Sequence, residues 1–416
     1  ELRPFDVSIQ LKLATLLMAQ SKIEQAKTLL EEKLKVDPNA PKLLVGYARI
    51  RKELGDVGGG KADYEPARIH YARALKQDAS ANDVRLEYID VLLKIGATKE
   101  ADAALDRVKS EGHLKAAVAY LTARVLAQQS KYVDSFKFYE QAQAEYDQDA
   151  QFLVHMASVA FENNMYEQAM SLLDQARLID NKRSDIYHLL GKTAFHQSSY
   201  DTAIRYLKQA IKLDGQNTGH RYWLARAHLQ RNETAKASRE LDRIIREVAP
   251  NKTLATVECD AFFLRAQMLR ADGLSSWSKA IKLLDRHTEC APKHAESYLV
   301  RGRIHADYRS LDQARQDFKQ ASKLALSAKQ QKIAAMALYE AAKVLKRRPR
   351  FSQANLLALL KDAVKADASY APPHRDLCTM LHQAEPKRAK GHCKAYLSAA
   401  PKGLYAGEVR ELLRNL

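Results

Sequence analysis

The chemistry that this sequence could support is concentrated in four cysteines. Cys259 and Cys290 lie at similar distances on either side of a turn predicted at 271–276, and Cys378 and Cys393 flank a second predicted turn in the same way. Residues equidistant from the turn of an antiparallel helical hairpin face each other, so each pair could form a disulfide within one hairpin. Disulfides of this kind persist only in oxidising compartments.

Two other interpretations of the cysteines stay open. The thiols could be reduced and buried where small residues pack between helices. They could also bind a metal, because His374 and Cys378 are an i, i+4 pair that could meet His392 and Cys393 from the facing helix. Adjacent residues point in different directions, however, which disfavours a complete tetrahedral set. The sequence therefore favours two disulfides, which explain both pairs at once.

A glycine-rich segment fits a nucleotide-binding loop only in part. Gly55 to Lys61 follows the pattern G-x-x-x-x-G-K, but Ala62 comes next, where a metal-binding hydroxyl is needed. A helix is predicted before this segment, whereas a phosphate-binding loop follows a strand. No candidate nucleophile is accompanied by a base and an orienting residue either. The sequence predicts no catalytic residues, no cofactor and no bound metal.

Composition indicates a helical chain. Of 416 residues, 46% are apolar, whereas only 15 are Gly and 11 are Pro. No stretch approaches the roughly 18 uninterrupted apolar residues of a transmembrane helix. Because the first residue is Glu1, we expect that a signal peptide or anchor precedes it, and membrane association would depend on that anchor or on a partner.

Small residues recur at intervals of 34 and organise the chain. One register contains Ala101, Ser135, Ala169, Ala203 and Ala237, and a second contains Ala123, Ala157, Gly191 and Ala225. Larger residues recur in the same way at Leu105, Tyr139, Leu173, Leu207 and Leu241. Two helices can approach closely only where small residues cross, so this pattern predicts helical hairpins that stack on one another and share a core.

This spacing resembles the tetratricopeptide repeat. The clearest copy is Ser184 to Asn217, whose residues at the family's signature places are Tyr187, Leu190, Gly191, Ala203, Leu207 and Ala210. The resemblance implies an all-α fold, a right-handed α-solenoid of about eleven helix-turn-helix repeats. We expect these to start near Val7, Pro41, Asn82, Ala116, Ala150, Ser184, Thr218, Cys259, Ala295, Ala334 and Ala371.

The expected organisation is one continuous superhelix over residues 1–416. Its parts are the N-terminal repeats at 7–115, the most regular repeats at 116–251, the C-terminal repeats with both cysteine pairs at 259–402, and a capping helix at 403–416. The spacing is expanded by a Gly-rich insertion at 56–64 and again at 250–257. Each insertion could be a contact loop or tolerated variation in length.

The resemblance also implies a binding groove, because the first helix of each repeat lines a concave surface in this family. The equivalent positions here are Asp90, Arg124, Ser158, Lys192, Arg226, Gln267 and Arg303. Aromatic and histidine neighbours are Tyr120, His188, Tyr222, Trp223 and Phe263. Cations interleaved with aromatic rings suit an extended ligand that carries anionic or aromatic groups. Family members that bind chaperone tails pair a Lys with an Asn at set groove positions. The matching Asn is missing here, which argues against that role.

These patterns predict a non-catalytic interaction scaffold or assembly factor. The net charge of +17 suits an acidic protein or peptide partner, and an anionic polysaccharide is an alternative, whereas basic groove residues alone do not favour nucleic acid. The segment 391–401 resembles the closing repeat of bacterial cell-envelope repeat proteins. Together with the cysteines it predicts a periplasmic location. The alternatives are a polysaccharide-binding module of an exopolysaccharide export system and a cytoplasmic adaptor.

Overall fold

The computed structural model describes residues 7–109, 114–248 and 254–416. Over these ranges it contains 23 α-helices and one π-helical turn but no β-strand, and 81% of the described residues are helical. The predicted all-α fold is confirmed. Residues 250–253, half of the expansion predicted at 250–257, lie outside the described residues. None of the described helices is both long enough and apolar enough to cross a bilayer.

The chain forms two compact units, Glu1–Asp214 and Gly215–Leu416. Helices pair in chain order into antiparallel hairpins. Unit 1 contains α1 (Val7–Ala19), α2 (Ile23–Val36), α3 (Pro41–Leu54), the π-helical turn Gly55–Gly59, α4 (Lys61–Gln77), α5 (Asn82–Ile95), α6 (Thr98–Lys109), α7 (Lys115–Gln128), α8 (Tyr132–Tyr146), α9 (Ala150–Glu162), α10 (Tyr166–Ile179), α11 (Ser184–His196) and α12 (Tyr200–Leu213).

Unit 2 continues the same alternation of first and second helices and ends on a single helix. It contains α13 (Thr218–Gln230), α14 (Thr234–Glu247), α15 (Thr256–Ala271), α16 (Leu274–Cys290), α17 (Ala295–Asp307), α18 (Leu311–Ser327), α19 (Gln331–Lys346), α20 (Gln353–Ala366), α21 (Ala371–Leu381), α22 (Pro386–Ala399) and α23 (Ala406–Arg414). The last helix falls within the predicted cap at 403–416. The prediction of one superhelix through both units stays a prediction.

The first helices form the inner layer of each unit. The first helix of a hairpin packs mainly on its own second helix and also touches the first helix of the next hairpin, as α5 touches α7 and α17 touches α19. In the described part of the chain, no comparable contact joins one second helix to the next. The second helices are therefore spread further apart and form the outer layer, as in an α-solenoid.

Small residues lie where the two helices of a hairpin cross. A Cβ added to Gly191 would lie 2.6 Å from Cγ of Leu207 and 3.4 Å from the carbonyl oxygen of Ala203. Ser135 occupies an alanine position of the repeat, and its hydroxyl donates to the carbonyl of Ala123 at 2.7 Å. The backbones thus approach closely enough for a short side chain to span the gap, as the repeat spacing predicts.

The turns inside the hairpins repeat one backbone conformation. Residues with positive φ recur every 34 positions at Ser130 (59°), Asn164 (60°), Ser198 (60°) and Asn232 (57°). This left-handed conformation reverses the chain between the two helices, and Asn adopts it more readily than most residues with a side chain. The regular turns keep the hairpins of the central repeats alike.

Both cysteine pairs lie within hairpins of unit 2. The Cα atoms of Cys259 and Cys290 are 6.2 Å apart and those of Cys378 and Cys393 are 5.0 Å apart, which suits a disulfide in each case. His374 and His392 share a hydrogen bond between their Nδ1 atoms at 3.0 Å. Within the described ranges, no group of three or more His, Cys, Asp or Glu residues is arranged to hold a metal. The oxidised state of the pairs stays a prediction.

Replacing Ala203 by Trp should destabilise unit 1, because Ala203 is fully buried and an indole cannot fit between the crossing backbones. Overpacking of this kind costs about 1–3 kcal/mol or more. Thermal unfolding of Ala203→Trp should therefore begin at lower temperature. Leu178→Trp is the matched control, because Leu178 is 84% exposed. Equal melting of the two variants would contradict the assigned crossing position.

Protein purified without reductant from an oxidising compartment should contain no titratable thiol. Each disulfide would stabilise unit 2 by restricting the unfolded chain, by about 3 kcal/mol for a loop of about 15 residues. Reduction should therefore raise amide hydrogen exchange in the two cysteine-containing hairpins. Residues 116–214, which contain no cysteine, serve as the internal control. Four titratable thiols in such material would show that the pairs are not oxidised.

Candidate functional site

The inner layer of unit 1 encloses a cavity of about 890 Å³. Helices α3, α4, α5, α7, α8 and α9 and the π-helical turn each contribute side chains to it. Charged groups and aromatic rings alternate around the cavity, among them Lys52, Asp56, Tyr64, Asp90, Lys94, Tyr120, Arg124, Tyr146 and His155. Three of the predicted groove residues, Asp90, Tyr120 and Arg124, are therefore part of one concave site.

Asp90 holds the charges of this cavity together. Its carboxylate accepts a hydrogen bond from Arg124 at 2.5 Å and lies 2.6 Å from Nζ of Lys52 and 3.8 Å from Nζ of Lys94. Burial alone would raise the pKa of Asp90, but the charges of Arg124, Lys52 and Lys94 outweigh it and hold the pKa below its ordinary value. Arg124 is thus a cation that is ion-paired within unit 1.

The Gly-rich insertion at 56–64 contributes directly to the cavity. Gly58 and Gly60 have positive φ, and the absence of a side chain at Gly55 lets the ring of Tyr64 lie against the backbone, where a Cβ would be 2.4 Å away. The Tyr64 hydroxyl donates to Asp56 at 2.7 Å, and Asp56 forms an ion pair with Lys94. The segment joins two helices, and its side chains contact α5, as a contact loop would.

A chain of hydrogen bonds fixes the protonation of His155. Arg183 donates to Oε1 of Gln151 at 2.7 Å, which orients the amide so that its nitrogen donates to Nε2 of His155 at 2.6 Å. The proton of His155 must then lie on Nδ1, which donates to the Tyr120 oxygen at 2.8 Å. Burial and the charge of Arg124 lower the pKa of His155 to about 3.

Tyr120 is left with a proton to donate. Its oxygen accepts from His155, and burial raises its pKa, so the phenol is neutral at pH 7. Its ring packs against Phe152 with centroids 5.1 Å apart and lies 5.6 Å from the guanidinium carbon of Arg124. Tyr120 can therefore offer an O–H donor to a ligand while its ring stays fixed.

Of the other predicted groove residues of unit 1, Ser158 lies on α9, and His188 and Lys192 lie on α11. His188 and Lys192 are both half-buried, and Nζ of Lys192 lies 4.6 Å from the ring centroid of Phe161. This distance is typical of a cation–π contact. Cationic and aromatic groups are thus adjacent here, as the sequence predicts.

In unit 2, the predicted residues of α13 form a stacked group. The guanidinium carbon of Arg226 lies 4.2 Å from the ring centroid of Trp223 and 5.9 Å from that of Tyr222. Lys192 and Arg226 belong to different units. Their predicted juxtaposition on adjacent first helices stays a prediction.

Phe263 and Arg303 are both engaged within unit 2. The ring of Phe263 packs on His287 and His294, with centroids 5.2 and 4.9 Å away. Nε of Arg303 donates to Glu340 at 3.1 Å. Arg303 is therefore ion-paired, like Arg124, and Phe263 is partly buried in the contact between two hairpins.

Several cavity residues were not predicted from the sequence. Lys52, Lys94 and His155 lie outside the predicted row of groove positions and carry no motif that would mark them. Asp56 and Tyr64 had one signal, the extra length of the insertion, but the spacing did not say which way the loop folds. Their roles depend on contacts between residues about one repeat apart or more.

Lowering the pH should destabilise unit 1 through His155. The folded state holds this imidazole neutral down to a pKa of about 3, whereas the unfolded chain takes up a proton near 6.5, so the free energy of unfolding falls as pH decreases through that window. His155→Gln should lose less stability between pH 7 and pH 4.5 than the wild type. Hydrogen exchange localises the effect, because the substitution should change the pH dependence of exchange in unit 1 and leave that of unit 2 as it is in the wild type. An unchanged pH dependence would contradict a neutral His155.

Residues 126–193 and 194–256 each match the family described as Tetratricopeptide repeat. No curated protein sequence matches the chain. Among solved structures, a tetratricopeptide repeat protein from Parabacteroides merdae has 16% identity and a TM-score of 0.45, and the alignment covers 54% of this chain and 86% of that one.

Two further structures are similar over 98% of this chain. The APC/C hetero-tetramer Cut9-Hcn1 has 13% identity, a TM-score of 0.45 and 89% of its chain covered. Yeast Tom70 has 14% identity, a TM-score of 0.42 and 94% covered. The matched segments 126–193 and 194–256 fall on consecutive hairpins whose small residues recur every 34 positions. Residues 126–256 of the chain therefore contain tetratricopeptide repeats.

Proposed function

We propose that this protein is a non-catalytic scaffold that binds an extended segment of a partner protein along the inner helix layers of its units. Tetratricopeptide repeat proteins typically bind protein or peptide partners. The observation that carries the proposal is the unit 1 cavity. Its volume is about 890 Å³, and aromatic rings and paired charges line it. Such a surface can bind apolar side chains and hydrogen-bond the polar main chain of an extended segment.

The partner segment that suits these surfaces carries acidic and aromatic side chains. Arg226 with Trp223, and Lys192 with Phe161, present cations beside rings. A carboxylate gains charge-assisted hydrogen bonds from such cations, each worth about 1.5–3 kcal/mol, and an aromatic side chain stacks on the rings. The net charge of +17 favours the approach of an acidic partner over longer distances.

The periplasm is the compartment we propose. Its support is the pair of hairpins whose cysteines lie at disulfide distance, because such bonds persist in oxidising compartments. A cytoplasmic adaptor is the alternative. The thiol content described above separates the two, because a cytoplasmic protein keeps its thiols reduced.

A second candidate function is polysaccharide binding, and the composition of the unit 1 cavity favours it. Tyr64, Tyr120 and Tyr146 line the cavity together with charges that largely compensate one another. Sugar rings can pack on aromatic faces, and sugar hydroxyls can both donate to carboxylates and accept from cations. Binding of glycans in preference to peptides would favour this second function.

The acidic-segment proposal predicts a preference on arrays of extended peptides. Peptides that contain Asp or Glu with Tyr or Phe should bind more tightly than versions with Asn and Gln in place of the acids. Reversing two groove cations, Lys192→Glu with Arg226→Glu, should weaken that binding at least tenfold, or about 1.4 kcal/mol. Rising salt should weaken the wild-type complex too, because exposed charges are screened over about 8–10 Å.

The matched control reverses two cations of the outer layer, Lys208→Glu with Arg239→Glu. Both side chains are exposed on second helices, and the change in net charge is the same. Peptide affinity should stay close to wild type in this control, and helicity should be unchanged in both variants. Equal losses in the two double variants would refute binding at the groove.

A further inference from the structure

Unit 2 contains a smaller cavity with a chemistry different from that of unit 1. Its volume is about 180 Å³. Its lining comes from the consecutive first helices α15, α17 and α19 and from Arg347, which directly follows α19. The charged lining residues are four cations and two carboxylates, namely Arg270, Arg303, Lys343, Arg347, Asp307 and Glu340. The cavity therefore has a formal excess of two positive charges.

One of the two carboxylates is already shared between two cations. Oε1 of Glu340 accepts from Arg303 at 3.1 Å, and Oε2 accepts from Lys343 at 2.8 Å. A single negative charge thus faces two positive ones. Glu340 has no remaining charge to neutralise a further cation of the cavity.

In the described part of the chain, neither Arg270 nor Arg347 forms an ion pair with a carboxylate, and Arg270 also has a buried donor without a partner. This donor is Nε of Arg270. A buried charged group that lacks a compensating partner is costly, so an anion that binds the other N–H groups of Arg270 from the cavity would be favoured. Arg347 donates one N–H to the carbonyl of Ala306 at 3.1 Å. A guanidinium has five N–H donors, so Arg347 keeps others for a ligand.

We propose that this cavity binds a tetrahedral dianion, either free phosphate or a phosphoryl group carried by a ligand. The excess of two positive charges equals the charge of such a group near neutral pH. The cations come from three different helices, and a tetrahedral oxyanion presents oxygens in as many directions, whereas a carboxylate presents two in one plane. Guanidinium groups also bind phosphoryl oxygens in a bidentate manner. The inference does not require the partner segment proposed above.

Titration calorimetry of the full chain with inorganic phosphate at pH 7.5 and constant ionic strength tests the site. Arg270→Gln should weaken phosphate binding about tenfold or more, and Arg347→Gln should weaken it as well. Arg315→Gln is the matched control, because Arg315 is an exposed cation on the second helix α18. If Arg270→Gln fails the circular dichroism check for folding, Arg347→Gln decides the test.

A second titration identifies the source of the phosphoryl group. A phosphoserine peptide and its serine counterpart are compared with phosphate on the same variants. Phosphate binding that depends on Arg270 supports a site for the free ion, and binding of the phosphopeptide alone supports a phosphoryl group carried by a ligand. The proposal is overturned if neither probe binds, or if Arg315→Gln weakens binding as much as Arg270→Gln and Arg347→Gln. None of these results depends on the acidic peptides of the groove experiment, so the two proposals can fail separately.

Discussion

The close crossing of two helices within each hairpin is the contact on which the other features depend. Gly191 faces Leu207 and Ala203 with no room for a Cβ, and Ser135 reaches the backbone of Ala123. Because the crossing lies at the same place in each repeat, successive first helices lie side by side in the inner layer. Positions 34 residues apart then become neighbours in space, which is how Asp90 meets Arg124.

This neighbour relation decides the electrostatics of the inner layers. In unit 1, the carboxylate of Asp90 lies among the cations Lys52, Lys94 and Arg124. The cavity contains further carboxylates, so its positive and negative charges largely compensate one another. The pairs need not add much net stability, since desolvation offsets much of their attraction. In unit 2, Arg303 and Lys343 share one carboxylate and Arg270 has none. The two units therefore offer ligands different chemistry on equivalent helices.

The cysteine pairs lie where the repeat is least regular. The predicted repeats of unit 2 are spaced by more than 34 residues, whereas those of the central region keep that interval. Unequal repeats cannot all use the same packing positions, so a crosslink within a hairpin is a useful constraint. Bonds between Cys259 and Cys290, and between Cys378 and Cys393, would hold two of these hairpins by restricting the unfolded chain.

The sequence by itself determined the helical class, the repeat spacing and most starts of first helices. Pro41, Ala150 and Ser184 begin helices as predicted. The larger offsets are at Cys259 and Ala334, where the helices begin at Thr256 and Gln331, and both fall in repeats of irregular spacing. These features are local or periodic, and small residues at fixed spacing report them directly. The sequence also predicted that the cysteines of each pair face each other, because their symmetry about a turn is a property of a single hairpin.

Only the tertiary structure decided which groove cations form ion pairs with carboxylates. The spacing placed Asp90, Arg124 and Arg303 in one row of groove positions, but it did not indicate that Asp90 pairs with Arg124 or that Glu340, which lies outside that row, pairs with Arg303. The sequence likewise did not indicate that the insertion at 56–64 turns Asp56 and Tyr64 towards the cavity, or that Arg270 lacks a partner. Charge compensation depends on distances of a few ångströms between side chains far apart in the chain, and periodicity does not encode such distances.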